Sequence, residues 1–584
     1  MKTNIYKTVE RLLKNTNKYI SEDNKLLKAK LYEDIIRMDE QLLDILLSDN
    51  LVKETFFKKV KDTLVFDKQK FARFVESKEF LEDSYTSYIN KIGLTSNGEF
   101  ILNSNDVVLD FPFKDCYLYG GQDKDDQKRK EIFYNELIAS DDIRQMLAPK
   151  VLGNAKRYTK NGVEETSEFD ENDNLIIKGN NLIALASLLK RYEGKVKSIY
   201  IDPPYNTGND SFNYNDKFNH SSWLVFMKNR LELAKRLLRD DGVIFVQCDD
   251  NEQAYLKVLM DEIFGRKKFV NHIIWRYRTY IGQTKMFFPR KHDSILFYKK
   301  NEISNFNLSY VGNFEDTPDF KRWLNYFNEK GEILYGNHPK NDSRFDAYLN
   351  KYVKQFGSPE IGDIIYINKG YVVDDVWEDL IALDAKNKSE RIDSFGGSGQ
   401  KPEALIERII GSTTLEGDII LDFFLGSGTT AAVAHKMNRR YIGIEQMDYI
   451  QDITVERLKK VIDGEQGGIS KSVNWQGGGS FVYCELLENA QQLINDIQKS
   501  YESNILELKN KIFNDERVIP HITRSELEEY NQEFENLSLE DKKKVLIKII
   551  DKNKLYINYS EINDKDYNIQ QSDKYFSNSF YKGE

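Results

Sequence analysis

Two consecutive prolines directly behind an apolar run restrict this chain more than any other feature. Ser198-Ile-Tyr-Ile-Asp-Pro-Pro-Tyr205 begins with a strand-like rhythm. Pro203 and Pro204 then forbid both a helix and continued ladder pairing, so the backbone must stop and turn. The stop leaves a carboxylate, Asp202, and a ring, Tyr205, at the mouth of a strand end. In open α/β sheets, ligands bind at the carboxyl ends of strands. An acceptor carboxylate, a rigid turn with a free proline carbonyl and a stackable ring suit a flat, amine-bearing base. The competing reading is a plain proline turn with Tyr205 as packing.

The flanking sequence predicts the sheet. Asp173 to Asn181 is a short apolar run closing on Gly179, and Asn180 or Asn181 is placed to cap a helix over Leu182 to Lys190. After the proline turn come a helix from Trp223 to Leu238, a buried strand from Gly242 to Cys248 and a helix from Glu252 to Phe264. Strands alternating with helices predict a parallel, doubly wound α/β sheet. The Asn-, Gly- and Asp-rich stretch from Asn206 to Asn219 reads as a mobile loop over the turn. Its Phe212, Tyr214 and Phe218 either cover a substrate or fasten the loop down.

Farther along, Lys401-Pro402 precedes a helix from Glu403 to Ile410, and the strand Asp418 to Asp422 empties through Phe423 into Gly426-Ser427-Gly428-Thr429. Glycines there let the backbone approach a ligand, and the helix that follows offers unpaired N–H groups. The next strand, Arg440 to Glu445, ends in an acid. Its distance of about 20 residues from the first glycine is the spacing at which a carboxylate takes ribose hydroxyls. This half is therefore expected to bind a nucleoside. The turn lacks both the third glycine of a dinucleotide fingerprint and the glycine-lysine of a phosphate cradle.

With 584 residues, the chain is too long for one core. Its formal charge of -10 gives no global field for a polyanion, so a nucleic-acid surface has to be local. Arg276, Arg278, Lys285, Arg290 and Lys291 stand among Trp275, Tyr277, Tyr280, Phe287 and Phe288. Cations among aromatics form the footprint of a phosphate-backbone contact, or else a solvated basic face beside core strands. From Asn301 to about Ile392 the alternation loosens, as in an insertion carrying a specificity element. Three scattered cysteines and six histidines without ligand spacing argue against a disulfide scaffold or a metal site. No signal peptide and no apolar window of ~18 residues are evident, so a cytoplasmic location without a membrane span is expected.

The ends read differently. Leucine and isoleucine at helical spacing predict a helical amino-terminal region. Short strands are expected over Gly98 to Leu102 and Val107 to Phe113, then a helix from Lys128 to Leu147. At the carboxyl end, Phe481 to Ile512 reads as a long amphipathic helix, Leu537 to Asp551 as a capped helix and Lys554 to Asn568 as a hairpin. The expected domains are an amino-terminal helical region (1–157), a catalytic half (158–300), an inserted recognition domain (301–394), a cofactor-binding half (395–470) and a carboxyl-terminal helical assembly region (471–584).

Asp202-Pro-Pro-Tyr205, Asp422-Phe-Phe-Leu-Gly-Ser-Gly-Thr429, Lys401-Pro402 and Glu445 together resemble the motifs of amino-group DNA methyltransferases. The catalytic motif precedes the glycine motif with a variable block between, an order that resembles the β class. Asp rather than Ser at position 202 resembles the adenine-N6 enzymes. Leu109 to Cys116, Gln127 to Phe133, Lys178 to Asn181, Tyr205 to Gly208, Lys291 to Phe297 and Gly477 to Tyr483 further resemble the modification subunit of Type III restriction-modification systems.

The resemblance implies a Rossmann-like methyltransferase fold, S-adenosylmethionine as cofactor, double-stranded DNA as substrate, a homodimer and an ATP-dependent restriction subunit as partner. It implies Asp202 and the Pro203 carbonyl as acceptors for the amine of a flipped adenine, Pro204 as part of that turn, and Tyr205 as a stacking ring. The cofactor would lie along Asp422, Phe423, Gly426, Ser427, Gly428 and Thr429, with Glu445 on the ribose, Lys401 nearby and Asn181 lining it. An orphan adenine methyltransferase and a catalytically silent recognition subunit stay open as alternatives. An oxidoreductase using the glycine turn would leave Asp202-Pro-Pro-Tyr205 without a role.

Overall fold

The computed structural model describes all residues except 1–3, 21–25, 62, 77–94, 97–98, 101–108, 123, 125–130, 209–214, 278–287, 384–389, 393–398, 489–495, 514–533, 554–555 and 583–584. The chain folds as two compact units, Met1–Val107 and Val108–Glu584. Residues 108–157, grouped by sequence with the amino-terminal region, lie in the second unit. In the first, helices Asn4–Lys14, Lys28–Arg37, Glu40–Leu47 and Asn50–Phe56 bury Leu13, Leu31, Ile35, Leu42 and Leu46 in one core. The Asp39 and Asp49 side chains accept from the first free N–H groups of the third and fourth helices, the usual means of starting a short helix.

The second unit is built on an 11-stranded sheet. In chain order its principal elements are β1 (Leu152–Thr159), β2 (Gly162–Glu165), β3 (Leu175–Lys178), α1 (Asn181–Tyr192), β4 (Val196–Ile201), α2 (His220–Leu237), β5 (Leu238–Cys248), α3 (Gln253–Phe264), β6 (Phe269–Arg276), β7 (His292–Lys299), β8 (Val376–Trp377), α4 (Glu403–Thr413), β9 (Ile419–Asp422), α5 (Thr429–Lys436), β10 (Arg440–Glu445), α6 (Glu456–Ile462), β11 (Ser480–Leu486) and α7 (Gln571–Lys582). The strand order is β8-β6-β7-β5-β4-β9-β10-β3-β11-β1-β2. The six strands from β5 to β11 are mutually parallel. The expectation of a parallel sheet therefore needs correction at both wings. There β7 runs antiparallel to β5, β6 to β7, β1 to β11 and β2 to β1.

Parallel strands buried on both faces are apolar throughout, and every residue of β4, β9 and most of β10 is buried. One face packs under α1, α2, α3 and α7, and the other under α4, α5 and α6. The chain leaves β4 toward β5 but leaves β9 toward β10, in opposite directions along the sheet. The crevice at such a reversal, outside the strand ends, is where doubly wound sheets bind ligands. Asp202 follows β4, Asp422 ends β9 and Glu445 ends β10.

Between β7 and β8 lies a small substructure with its own core of Trp323, Ile333, Phe345 and Ile365. It consists of two two-stranded sheets and the helix Ser343–Phe356. Trp323 and Phe345 meet edge to face at 5.5 Å, an arrangement aromatic quadrupoles favour.

Several sequence expectations change. Ser480–Leu486 is strand β11, not the start of a helix, because Phe481, Val482, Tyr483 and Cys484 fill both faces of a slot between β3 and β1. The expected helix from Lys128 is the strand Ile132–Asn135, paired with Cys116–Tyr119, followed by the helix Ser140–Met146. Residues 109–113 form no strand. Tyr559–Glu561 and Lys565–Tyr567 are single helical turns in place of a hairpin, the first held by the Asn558–Glu561 capping box.

Candidate active site

Asp202 and Asp422 border one open cleft, shared by the proline turn and the glycine turn. The proline turn is fixed from behind by Trp223 on α2, whose indole Nε1 donates to the Pro204 carbonyl at 2.8 Å. Tyr205 donates to Asp202 Oδ1 at 2.5 Å. Lys401, just before α4, donates to Asp202 Oδ2 at 2.5 Å, and its ammonium stands 5.3 Å from the centre of the Tyr205 ring. The Tyr205 hydroxyl also lies 3.1 Å from Asp293 Oδ2 at the start of β7. Gln247 on β5 donates to that same oxygen at 2.8 Å and accepts from Tyr200 on β4 at 2.7 Å. Burial among other acids pushes the Tyr205 and Tyr200 hydroxyls well above their ordinary values, so both remain neutral donors.

On the other side, Asp422 is buried, accepting from the Phe424 N–H at 2.9 Å and from Thr430 Oγ1 at 2.6 Å. Desolvation pushes its carboxyl up to about 7. Glu445 gathers the turn: Gly426 N donates to one oxygen at 2.8 Å, Gln446 N and Met447 N to the other at 2.8 and 3.0 Å. Burial raises its carboxyl as well. Gly428 has φ +79°, a left-handed conformation that glycine adopts without cost. It starts α5. A π-helical turn, Gln451–Val455, presents Thr454 to the Gly426 carbonyl at 2.7 Å. Arg457 then joins Thr429 Oγ1, at 2.8 Å, to Glu403, at 2.9 Å.

The cleft thus brings together Asp202, Pro204, Lys401, Asp422, Gly426, Ser427, Thr429 and Glu445. Asn181 and Phe423 stand behind it. Asn181 is fully buried, donating to the Phe423 carbonyl at 2.8 Å and accepting from Arg230 at 2.7 Å. The loop after the turn is tied down at both ends: Asn206 N and Thr207 N donate to the buried Asp216, and Phe218 packs on Phe226. Phe212 and Tyr214 lie outside the described residues. Of the basic residues, Arg276 pairs with Glu378, Arg290 reaches Asp250 only at 4.0 Å with its side chain 64% exposed, and Lys291 is half-buried. Arg278 and Lys285 lie outside the described residues.

Residues 196–456 match the family of N6/N4 DNA methylases, and residues 39–94 match the Type III restriction/modification enzyme methylation subunit. The probable type III restriction-modification enzyme HindVI Mod subunit of Haemophilus influenzae is 36% identical, over 100% of this chain and 99% of that one. This chain belongs to the Mod subunits of Type III restriction-modification systems. The Mod subunit of the StyLTI enzyme from Salmonella typhimurium is 32% identical over 47% of this chain and 51% of its own. Among solved structures, the cytosine-N4-specific PvuII DNA methyltransferase is 13% identical with a TM-score of 0.31, covering 53% of this chain and 93% of that one.

This Mod subunit is a DNA methyltransferase, and its cleft is backed by groups that motif reading passes over. Trp223, Asp293, Thr454 and Arg457 each hold a named site residue, and Gln247 holds Asp293 in turn. A glutamine inside the apolar strand Val243 to Cys248 is one legible trace, since a buried amide has to find partners, and Asp293 lies within the Lys291 to Phe297 stretch already noted. Gln122 lines the same cleft, with a buried Oε1 that has no protein partner. Among the described residues, no helix is long and apolar enough to cross a membrane.

Proposed function

We propose that this Mod subunit methylates the N6 amine of an adenine flipped out of double-stranded DNA, with S-adenosylmethionine as methyl donor. The observation that carries the reading is the single cleft on which Asp202 and the glycine turn converge. The cofactor supplies an electrophilic methyl group. The lining suits such a nucleoside: the polar Ser427, Thr429 and Gln122 stand with the apolar Phe424, Leu425 and Met447 around the cleft. Asp422, Phe423, Gly426, Ser427, Gly428 and Thr429 hold the cofactor from the β9 turn. The Tyr449 hydroxyl also acts on Glu445, the carboxylate that would hold the ribose. Asn181 serves from behind, fixing the Phe423 carbonyl.

The amine of adenine conjugates its lone pair into the ring and is a poor nucleophile. Asp202 and the Pro203 carbonyl accept its two N–H bonds and draw the nitrogen toward tetrahedral geometry. Tyr205 stacks on the extruded ring, returning about 1–3 kcal/mol of the flipping cost. Lys401 leaves Asp202 as the base enters. Arg276, Arg278, Lys285, Arg290 and Lys291 hold the phosphate backbone, and the substructure between β7 and β8 reads the sequence. As a Mod subunit, the chain works as a homodimer with an ATP-dependent restriction subunit.

The test is expression of the chain and of Asp202→Ala in a methylation-deficient host, followed by single-molecule sequencing of the genome. N6-methyladenine at one short motif, lost in the variant, is the expected result. Methylated cytosine, or no modified base in either strain, refutes it.

A further inference from the structure

We propose that Asp293 is a positioning residue that takes the proton released by the methylated amine, reached from Asp202 through the Tyr205 hydroxyl. The inference rests on the amine-methylating reading above and adds a residue and a proton route to it. The Tyr205 oxygen stands 2.5 Å from Asp202 Oδ1 and 3.1 Å from Asp293 Oδ2. A tyrosine has one hydroxyl proton but can also accept. It therefore satisfies one carboxylate by donating and the other only when that carboxyl brings its own proton. Two acids joined by one hydroxyl form a route along which a proton passes by exchange of partners.

The surroundings of Asp293 mark it as the receiving end. It is 6% exposed, and its hydrogen-bond donors are neutral: Gln247 Nε2 at 2.8 Å and the Tyr277 hydroxyl at 3.2 Å, besides Tyr205. The Gln247 amide is oriented by Tyr200, which donates to its oxygen and leaves the nitrogen for Asp293. Tyr277 donates to Oδ1, leaving Oδ2 as the oxygen that meets Tyr205. The charged and titratable groups facing Asp293 are Asp202, Lys401 and Asp249, with Tyr200, Tyr205, Tyr277 and Cys248 around it. In the structure Lys401 donates to Asp202 and not to Asp293, and it opposes the rise of the Asp293 carboxyl only through space. A buried carboxylate without a hydrogen-bonded cation favours its neutral form, and burial raises the Asp293 carboxyl accordingly.

Methylation leaves one proton too many on the nitrogen. The N–H bond breaks with its electron pair retained by nitrogen, and an O–H bond forms at Asp202. That proton moves to the Tyr205 oxygen as the Tyr205 proton moves to Asp293 Oδ2. Tyr205 ends neutral, Asp202 ends as a carboxylate, and one proton has passed from the base to Asp293.

The experiment measures single-turnover methyl transfer by the full chain between pH 5 and 9, alongside binding of cognate duplex and of S-adenosylmethionine. The wild type is compared with Asp293→Asn, Tyr205→Phe and the double variant. Asp293→Asn is expected to transfer methyl roughly 10²-fold more slowly, to bind both ligands within twofold of wild type, and to lose the rise in rate with pH that accompanies emptying of Asp293. Because the two groups share one route, the double variant should be no slower than the slower single. A rate within threefold of wild type, an unchanged pH profile, multiplying losses, or parallel loss of ligand binding would each overturn the proposal. Should Asp293→Asn fail to fold, Tyr205→Phe decides, since it must lose the same limb of the profile. A wild-type chain that transfers no methyl overturns the functional reading as well, whereas an active wild type with an indifferent Asp293→Asn overturns only the relay.

Discussion

Lys401 Nζ lies 2.5 Å from Asp202 Oδ2 and 5.3 Å from the centre of the Tyr205 ring, so one ammonium covers both the acceptor and the stacking face proposed for the target base. A base that enters has to displace it. Lys401→Met keeps the length of the side chain and removes the charge. With 2-aminopurine at the target position, this variant is expected to give stronger fluorescence on binding than wild type, because extrusion no longer competes with an ion pair. Equal or weaker fluorescence would show that Lys401 assists base entry.

Asp422 predicts a pH dependence of stability. Its carboxyl is held up to about 7 by burial, against an ordinary value of about 4 in an unfolded chain. The folded protein thus keeps a proton that the unfolded chain sheds, and the fold loses stability as pH climbs from about 4 to about 7. In the cofactor-free protein, Asp422→Asn should melt at the wild-type temperature near pH 4 and roughly 2–4 °C higher near pH 7.5. Thermal melts at the two pH values check this.

At Gly428, an added Cβ would lie 2.9 Å from Thr454 Cγ2, in a backbone conformation that L-residues rarely adopt. Gly428→Ala therefore has to shift the π-helical turn or the start of α5. Cofactor affinity measured by calorimetry should fall at least tenfold, about 1.4 kcal/mol, while DNA affinity stays within twofold. Unchanged cofactor affinity would remove Gly428 from the proposed site.

Arg290 tests the DNA surface. If its exposed guanidinium contacts one phosphate, Arg290→Ala should lower the slope of log affinity against log salt by about 0.9, uniformly across DNA sequences. Titrations at several salt concentrations, on cognate and unrelated duplexes, measure it. An unchanged slope would leave Arg290 as a solvated charge.

The central strands were legible because parallel strands buried on both faces carry one continuous apolar signal: Arg440 to Glu445 was delimited from sequence to the residue. The edge at β11 and β1 was not, since these strands alternate only loosely and find their places through contacts distant in sequence, such as Ser480 with Thr159. In the candidate site, the turns announced themselves through proline and glycine, whose backbone preferences act locally. Trp223, Gln247, Asp293 and Arg457 did not, because each acts through a partner that only the folded sheet brings near.

The insertion between β7 and β8 also sets the order in which the molecule is made. Ser198 on β4 pairs with Ile420 on β9, and β1 waits for β11 and for Ser577 of α7, whose hydroxyl takes the Leu152 N–H at 2.9 Å. At ~5–20 residues per second of synthesis, β4 leaves the ribosome on the order of ten seconds or more before the strand beside it. Such non-local pairing is slow to form, and the bare edge has to be shielded meanwhile. A translation product that stops inside this insertion holds Asp202 but not the glycine turn. If both turns are needed for methyl transfer, as proposed, such a product carries no activity and the two halves of the cleft are complete only after Glu445 has been made.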